Sequence, residues 1–231
     1  MKTIGMLGGM SWESTAHYYQ LLNKGVNEAL GGLNSARIIL NSVNFQDIEQ
    51  LQRTGNWRDT GLILGHAAIE LEKGGADFII ICTNTMHKVV DEISRFTPLP
   101  ILHIADATAE VLCTANIRQV GLLGTAFTME QAFYKTRIHE KFGIEVTVPC
   151  EEDRAFVHKV IYQELCKGIF SEESKLRFLD IIDELYSQGC EGVILGCTEI
   201  SLLVRQDDTD VTLYDTTAIH ADAAVRLALY R

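Results

Sequence analysis

Two short stretches of this chain carry side chains that could exchange a proton with a small molecule. Residues 83–85 read Thr-Asn-Thr and residues 197–199 read Cys-Thr-Glu, and each stretch follows a run of apolar residues. A thiol between a buried strand and the start of a helix usually has a lowered pKa, and the thiolate is its reactive form. We therefore predict that Cys197 is the main reactive group of the chain.

The two stretches occupy the same place in an internal repeat. The first half contains the turn IGMLGG around Gly5, and the second half contains VGLLG around Gly121. Thr83 follows Gly5 by 78 residues (83 − 5), and Cys197 follows Gly121 by 76 (197 − 121). In an ungapped overlay of the following apolar runs, Thr83 falls on Cys197. A duplicated unit would place these residues on opposite sides of a pseudo-twofold cleft, where both faces of one carbon atom could be reached.

Short apolar segments alternate with helical patterns in both halves, which is typical of βα units around a parallel sheet. The sequence predicts an α/β fold with two pseudo-symmetric lobes, each a parallel sheet flanked by helices, and an active site in the cleft between them. We expect residues 1–104 plus 208–231 to form the N-terminal lobe and 105–207 the C-terminal lobe. The predicted strands are 2–7, 36–43, 77–82, 100–103, 118–123, 144–148, 191–196 and 211–214.

Composition excludes several classes of partner. The 231 residues include 20 Lys and Arg against 31 Asp and Glu, and the net charge of −11 argues against binding to nucleic acid or an anionic membrane. There is no secretory pattern at the N-terminus and no apolar run long enough to span a bilayer. The six cysteines are scattered without zinc-site spacing. We expect a reduced, cytoplasmic protein without a bound metal.

Motifs along essentially the whole chain resemble the aspartate/glutamate racemase family, especially its enterobacterial-type aspartate/glutamate and broad-specificity members. These motifs are IGMLGGMSWEST at 4–15, CTNTMHKV at 82–89, HIADAT at 103–108, LLGTAFTME at 122–130, LGCTEI at 195–200 and DTTAIHA at 215–221. The resemblance implies an amino-acid racemase that uses no cofactor, takes a small amino acid as substrate and forms a homodimer.

In the resembling family, two cysteines flank the substrate's α-carbon, and one removes a proton while the other returns one to the opposite face. The first of them directly precedes Asn-Thr, a position that Thr83 holds here, with Cys82 one residue earlier. Side chains alternate along a strand, so Cys82 should point away from the face that Thr83 occupies. The repeat agrees, because Cys82 falls on Gly196. We place Thr83 in the first catalytic position and interpret Cys82 as structural. The open alternative is that Cys82 is the first catalytic group.

This departure predicts an asymmetric enzyme. A threonine hydroxyl is a far weaker acid than a thiol and a poor base at neutral pH. Cys197 can still take a proton from its own side, whereas Thr83 would deliver one inefficiently. In the resembling family the second-half cysteine serves the L-isomer, so L-aspartate or L-glutamate is the expected starting substrate.

The resemblance also implies a set of substrate contacts. These residues are Met10, Gln52, Asn84, Thr85, Thr198 and Glu199. For Gln52, a polar residue on a solvated helix face is the open alternative. His87 and His220 are interpreted as capping or core hydrogen-bonding residues rather than as general bases.

Other functions stay open at this point. The same scaffold could isomerise or decarboxylate a small dicarboxylate, a task for which one competent cysteine suffices. A non-catalytic protein that binds acidic amino acids is the interpretation if Thr83 delivers no proton. A dinucleotide-dependent oxidoreductase is disfavoured, because GMLGGMS does not fit GxGxxG and no ribose-binding acid follows at the expected place.

Overall fold

The chain folds into two α/β units, each with its own four-stranded parallel sheet, and the computed structural model describes residues 1–230. The strands are β1 (Ile4–Gly8), β2 (Ile38–Ser42), β3 (Phe78–Ile81), β4 (Ile101–Leu102), β5 (Gln119–Gly124), β6 (Glu145–Thr147), β7 (Val193–Gly196) and β8 (Leu213–Asp215). The first sheet has the order β2-β1-β3-β4 and the second has β6-β5-β7-β8. The order is the same in both, which confirms the predicted α/β fold with two parallel-sheet lobes.

Helices connect successive strands. They are α1 (Trp12–Leu30), α2 (Phe45–Arg53), α3 (Trp57–Lys73), α4 (Val90–Ile93), α5 (Ile104–Thr114), α6 (Ala126–Glu130), α7 (Ala132–Phe142), α8 (Glu151–Gln163), α9 (Glu172–Ser187), α10 (Ile200–Leu203) and α11 (Thr216–Leu229). Short 3₁₀ helices lie at Thr85–Val89, Leu165–Lys167 and Gln206–Asp208. The helix connections are what allow neighbouring strands to run parallel.

The central strand β3 separates two apolar clusters of the first unit. Ile79 and Ile81 belong to one cluster, which includes residues of α3. Phe78, Ile80 and Cys82 belong to the other, which includes residues of α1 and α11. The alternation is that of a strand covered on both faces, and it assigns Cys82 to the face packed against α1 and α11.

The turn between β1 and α1 is fixed by its glycine and by side-chain hydrogen bonds. Gly9 has a φ of 91°, and a Cβ there would lie 2.1 Å from the carbonyl oxygen of Val43. The Oγ1 atom of Thr15 accepts from the Gly9 N–H at 2.8 Å and donates to the Ser11 carbonyl at 2.8 Å. These contacts hold Met10 in the turn between the carboxyl end of β1 and the start of α1 at Trp12.

The division of the chain corrects one predicted boundary. The first unit contains Met1–Ile104 and the segment from His220 onward, and the second contains Ala105–Ile219. The prediction placed 208–219 in the first lobe, but β8 pairs in parallel with β7 and forms the edge of the second sheet. Only the later part of α11 packs into the first unit, where Ala224 and Val225 join the cluster around β3. Periodicity identified a strand and a helix here but contained no information on their partners.

Candidate active site

Thr83 and Cys197 occupy equivalent positions beyond the central strands of the two sheets. Gly5 of β1 lies opposite Ile79 of β3. In the second sheet, Gly121 of β5 lies opposite Val193 of β7. Thr83 follows Ile79 by four residues (83 − 79), and Cys197 follows Val193 by four (197 − 193). The two registers thus reproduce the overlay made from the sequence. Both residues lie at the carboxyl end of a parallel sheet, where α/β proteins bind their ligands.

Cys82 is enclosed in the core of the first unit. Its side chain has no exposed surface, and burial raises the pKa of its thiol far above the usual range. Its carbonyl oxygen accepts a hydrogen bond from Ser14 Oγ at 3.0 Å, which ties this residue to α1. Thr83, one residue later, is only half-buried. The packing agrees with the interpretation of Cys82 as structural, and it leaves Thr83 as the accessible residue at this strand end.

Cys197 and its two successors form a hydrogen-bonded group in the second unit. The Cys197 Sγ atom donates to Glu199 Oε2 at 3.0 Å, and Thr198 Oγ1 donates to the same oxygen at 2.6 Å. All three side chains are buried. A single carboxylate oxygen therefore orients both the thiol and the hydroxyl.

The expectation of a lowered pKa for Cys197 is wrong for this state of the protein. Burial raises the pKa of the Cys197 thiol well above its usual range, and the negative charge of Glu199 and the proximity of Cys166 act in the same direction. The backbone N–H of Glu199 acts in the opposite direction. The following helix, α10, begins only at Ile200 and is four residues long, so it does not compensate. The resting side chain is a thiol hydrogen-bonded to a carboxylate.

Four of the predicted substrate contacts lie buried in the first unit. Met10, Gln52, Asn84 and Thr85 are each at most 5% exposed. Gln52 projects from α2, and its Nε2 atom lies 3.9 Å from the sulfur of Met86, which directly follows Thr85. The alternative of a solvated surface position for Gln52 is therefore wrong. Its burial beside the 3₁₀ helix that follows Thr83 brings it to the same strand end.

Comparison with known proteins now identifies the fold family. The model for the Asp/Glu/hydantoin racemase family matches residues 7–224. The chain belongs to this family. A crystal structure from Yersinia pestis, provisionally assigned as an Asp/Glu racemase, is 53% identical and has a TM-score of 0.93, with 100% of both chains covered. An aspartate racemase homologue from Pyrococcus horikoshii OT3 is 36% identical with a TM-score of 0.86, again over 100% of both chains.

A curated relative extends this comparison to a named activity. The broad specificity amino-acid racemase RacX of Bacillus subtilis (strain 168) is 25% identical over 166 residues, which are 68% of this chain and 67% of RacX. Together with the family match, this supports the expectation that the protein is an enzyme, an isomerase of the racemase type.

Some features of this racemase could not be found from its sequence. Cys166, in the 3₁₀ helix Leu165–Lys167, affects the electrostatics of Cys197 although 31 residues separate them (197 − 166). His158 of α8 accepts a hydrogen bond from the Ala126 N–H at 3.1 Å and so supports the start of α6. Thr125 caps the same helix, accepting from Thr128 N at 3.3 Å. Only the last of these contacts has a sequence signal, the local N-cap spacing.

Neither a metal cluster nor a membrane helix occurs in the described part of this racemase. Within residues 1–230, no three His, Cys, Asp or Glu side chains are grouped so that they could hold a metal ion. Among the same residues, no helix combines the length and apolar character needed to cross a membrane.

Proposed function

We propose that this racemase interconverts L- and D-aspartate or L- and D-glutamate without a cofactor, with Cys197 and Thr83 acting on opposite faces of the α-carbon. The observation that carries the proposal is the equivalent register of the two residues beyond β7 and β3. Inversion at one carbon requires one group that removes a proton and another that supplies one from the opposite side. The Asp/Glu and aspartate racemase descriptions of the two similar structures support an acidic amino acid as the substrate.

Cys197 has to be ionised before it can act as a base, and Glu199 is the group placed to accept its proton. The thiol already donates to Glu199 Oε2 at 3.0 Å. Transfer along this hydrogen bond gives a thiolate and a neutral carboxylic acid, and the thiolate then takes the α-proton of the L-substrate. The hydrogen bond from Thr198 keeps that oxygen directed toward the sulfur. This role is additional to the substrate contact predicted for Glu199.

Thr83 supplies the second proton, and this is the slower side because a hydroxyl is a far weaker acid than a thiol. The two enantiomers have equal free energies, so kcat/KM has to be the same in both directions. The predicted bias toward the L-substrate must therefore appear in which proton transfer limits the rate. From the D-isomer, abstraction at Thr83 limits turnover. From the L-isomer, abstraction at Cys197 is fast and protonation on the Thr83 side limits it.

The buried polar residues around the two strand ends would hold the substrate. We assign Gln52, Asn84 and Thr85 to the Thr83 side and Thr198 to the Cys197 side, with Met10 as an apolar wall. Hydrogen bonds made in a buried site are stronger than in water, and donors fixed in advance stabilise the charge that develops when the α-proton leaves. The homodimer that the family resemblance implies stays a prediction.

The proposal is tested by proton NMR of L-aspartate and L-glutamate in D₂O with the purified protein and no added cofactor. We expect the α-proton signal of one of them to disappear while chiral analysis detects the D-isomer. Cys197→Ser should abolish both effects. Unchanged α-proton signals of both amino acids would contradict the assigned substrates, and unchanged exchange in Cys197→Ser would contradict the role of Cys197.

A second candidate is the isomerisation or decarboxylation of a small dicarboxylate. The observation that favours it is that one of the two equivalent strand ends carries a thiol, Cys197, and the other carries only the hydroxyl of Thr83. A panel of dicarboxylates in D₂O separates the two, because decarboxylation places a solvent deuteron on carbon and releases CO₂. A protein that only binds acidic amino acids would raise its Tm in their presence and leave every α-proton in place.

A further inference from the structure

Three buried histidines form a group behind Thr83 in the first unit. They are His87, His103 and His220, and none of them is more than 6% exposed. The ring centroid of His87 lies 4.6 Å from that of His103 and 5.8 Å from that of His220. Both ring nitrogens of His87 and of His220 are hydrogen-bonded to other groups of the first unit, which favours a structural role for these two rings over proton exchange with a substrate.

The two hydrogen bonds of His87 define its tautomer. Nδ1 lies 2.9 Å from the carbonyl oxygen of Thr83, which can only accept, so Nδ1 carries the hydrogen. Nε2 accepts a hydrogen bond from the backbone N–H of Ile104 at 3.2 Å. His87 is therefore a neutral ring that joins Thr83 to the first residue of α5. Burial and the neighbouring histidines lower its pKa well below the usual range, in agreement with this assignment.

A second histidine of this group, His220, also makes two hydrogen bonds. Its Nε2 atom donates to the carbonyl oxygen of Leu102 at 2.9 Å, and its Nδ1 atom accepts from the hydroxyl of Tyr18 at 2.9 Å. His220 is thus also neutral and also bound at both nitrogens. Its partners belong to β4 and α1 and not to the 83–85 segment, which makes it a natural comparison for His87.

The hydrogen bond to Thr83 controls more than one atom. A trans peptide is planar, and its C=O and N–H groups point in opposite directions. Holding the Thr83 carbonyl against His87 therefore also directs the N–H of Asn84 to the other side of the same plane. It fixes the backbone from which the Thr83 side chain projects.

We propose that His87 is a positioning residue, which acts through the Thr83 carbonyl to place the Thr83 hydroxyl and the Asn84 N–H for the reaction. The inference rests on the proposed catalytic role of Thr83 and adds a residue to it. His87 itself does not touch the substrate. Loss of this single hydrogen bond should impair the proton transfer on the Thr83 side while leaving that on the Cys197 side intact.

Two substitutions of similar severity separate positioning from simple filling of space. His87→Asn keeps an N–H donor near the Nδ1 position, next to the Thr83 carbonyl, and loses the acceptor for Ile104. His87→Gln keeps an acceptor near the Nε2 position and loses the donor for Thr83. We expect kcat of His87→Asn to stay near the wild-type value and that of His87→Gln to fall about 10- to 100-fold, the scale of a misplaced catalytic group.

Three further measurements make the test decisive. The large primary isotope effect with α-deuterated D-aspartate should persist in His87→Gln although kcat falls, because abstraction at Thr83 stays the slow step. Hydrogen–deuterium exchange of residues 83–89 should accelerate in His87→Gln and not in His87→Asn, a readout that needs no enzymatic activity. His220→Gln should lower stability without lowering kcat.

The proposal would be overturned if His87→Asn and His87→Gln had equal kcat values. It would also be overturned if their kcat values differed only in proportion to their stabilities. Equal exchange rates of residues 83–89 in the two variants would overturn it as well. If the wild type removes no α-proton from any amino acid while exchange still distinguishes the two variants, the proposed function fails and the backbone role of His87 remains.

Discussion

The strand ends at 83–85 and 197–199 occupy equivalent positions in two sheets of the same order. They differ in which part of the residue is held by a hydrogen bond, the backbone in the first and the side chain in the second. Thr83 is half-buried, and its backbone carbonyl is held by the neutral ring of His87. Cys197 is buried, and its side chain is held by the carboxylate of Glu199. The repeat therefore determines where each residue lies, whereas its immediate neighbours determine its acid–base chemistry.

The difference also shows what a duplicated fold does and does not require. The matching pairings of β3 with β1 and of β7 with β5 are enough to place one group at the end of each of the strands β3 and β7. They do not require the two groups to have equal pKa values or equal reactivity. An enzyme with equal positions and unequal groups should have one fast and one slow proton transfer.

Removal of the thiol is expected to have the largest effect. Cys197→Ser should lower the rate of racemisation about 10²- to 10⁴-fold, the usual contribution of a positioned acid–base group, because a serine hydroxyl does not ionise near neutral pH. Chiral chromatography of product from L-aspartate measures it. Cys166→Ser is the matched control, since Cys166 affects the electrostatics of Cys197 but is not proposed to transfer a proton. A larger loss in the control would show that the reactive thiol is misassigned.

Making the two strand ends alike should remove the asymmetry. Thr83→Cys supplies a thiol at the position equivalent to Cys197, and we expect kcat to rise about 10-fold or more because the slow transfer becomes faster. Cys82→Ala in the wild-type background should keep the wild-type rate. A loss of activity in Cys82→Ala without a gain in Thr83→Cys would make Cys82 the first catalytic group.

Glu199→Gln should produce two opposite changes at Cys197. Removal of the negative charge lowers the pKa of the Cys197 thiol. Alkylation of Cys197 by iodoacetamide near neutral pH should therefore be faster than in the wild type. Racemisation should nevertheless fall about 10-fold or more, because glutamine cannot accept the proton of the thiol. Faster alkylation together with faster racemisation would limit Glu199 to an electrostatic effect.

The histidine group of the first unit should make the protein sensitive to acid. Burial lowers the pKa of His220 to about 4 from a usual value of 6.5. As the pH falls below 6.5 the unfolded chain takes up this proton first, so stability should decrease down to pH 4 and then level off. The loss of the His220 contribution should lower the free energy of unfolding by about 3 kcal/mol over this pH range. Denaturation of the wild type and of His220→Gln at pH 7 and pH 4 isolates the contribution; identical pH dependence in both would contradict it.

Much of the fold could be predicted from local patterns. The uniformly apolar runs at β3 and β7 indicated central parallel strands, and the repeat alone placed Thr83 opposite Cys197 in the overlay. The partner of β8 could not be predicted, because a short strand and an amphipathic helix contain no information on which sheet they join. The boundary at 208 was therefore wrong.

The candidate site was less predictable than the fold. The rule that a helix start lowers a thiol pKa failed at Cys197, because α10 is short and Glu199 places a carboxylate on the sulfur. The contact of His87 with Ile104 also has no local signal, since the two residues come together only when the chain returns after β4. Burial and a neighbour in sequence, Glu199, thus set the pKa of the Cys197 thiol, whereas a contact between distant segments holds the ring beside Thr83.

The most direct test of unequal proton transfers is the primary kinetic isotope effect for each enantiomer. Racemisation is followed from L-aspartate and from D-aspartate, each with hydrogen or deuterium at the α-carbon. We predict a large effect from D-aspartate, because Thr83 abstracts that proton in the slow step, and a small effect from L-aspartate, because Cys197 abstracts its proton before the slow step. Equal effects, or a larger effect from L-aspartate, would contradict the assignment of Thr83 as the slow side.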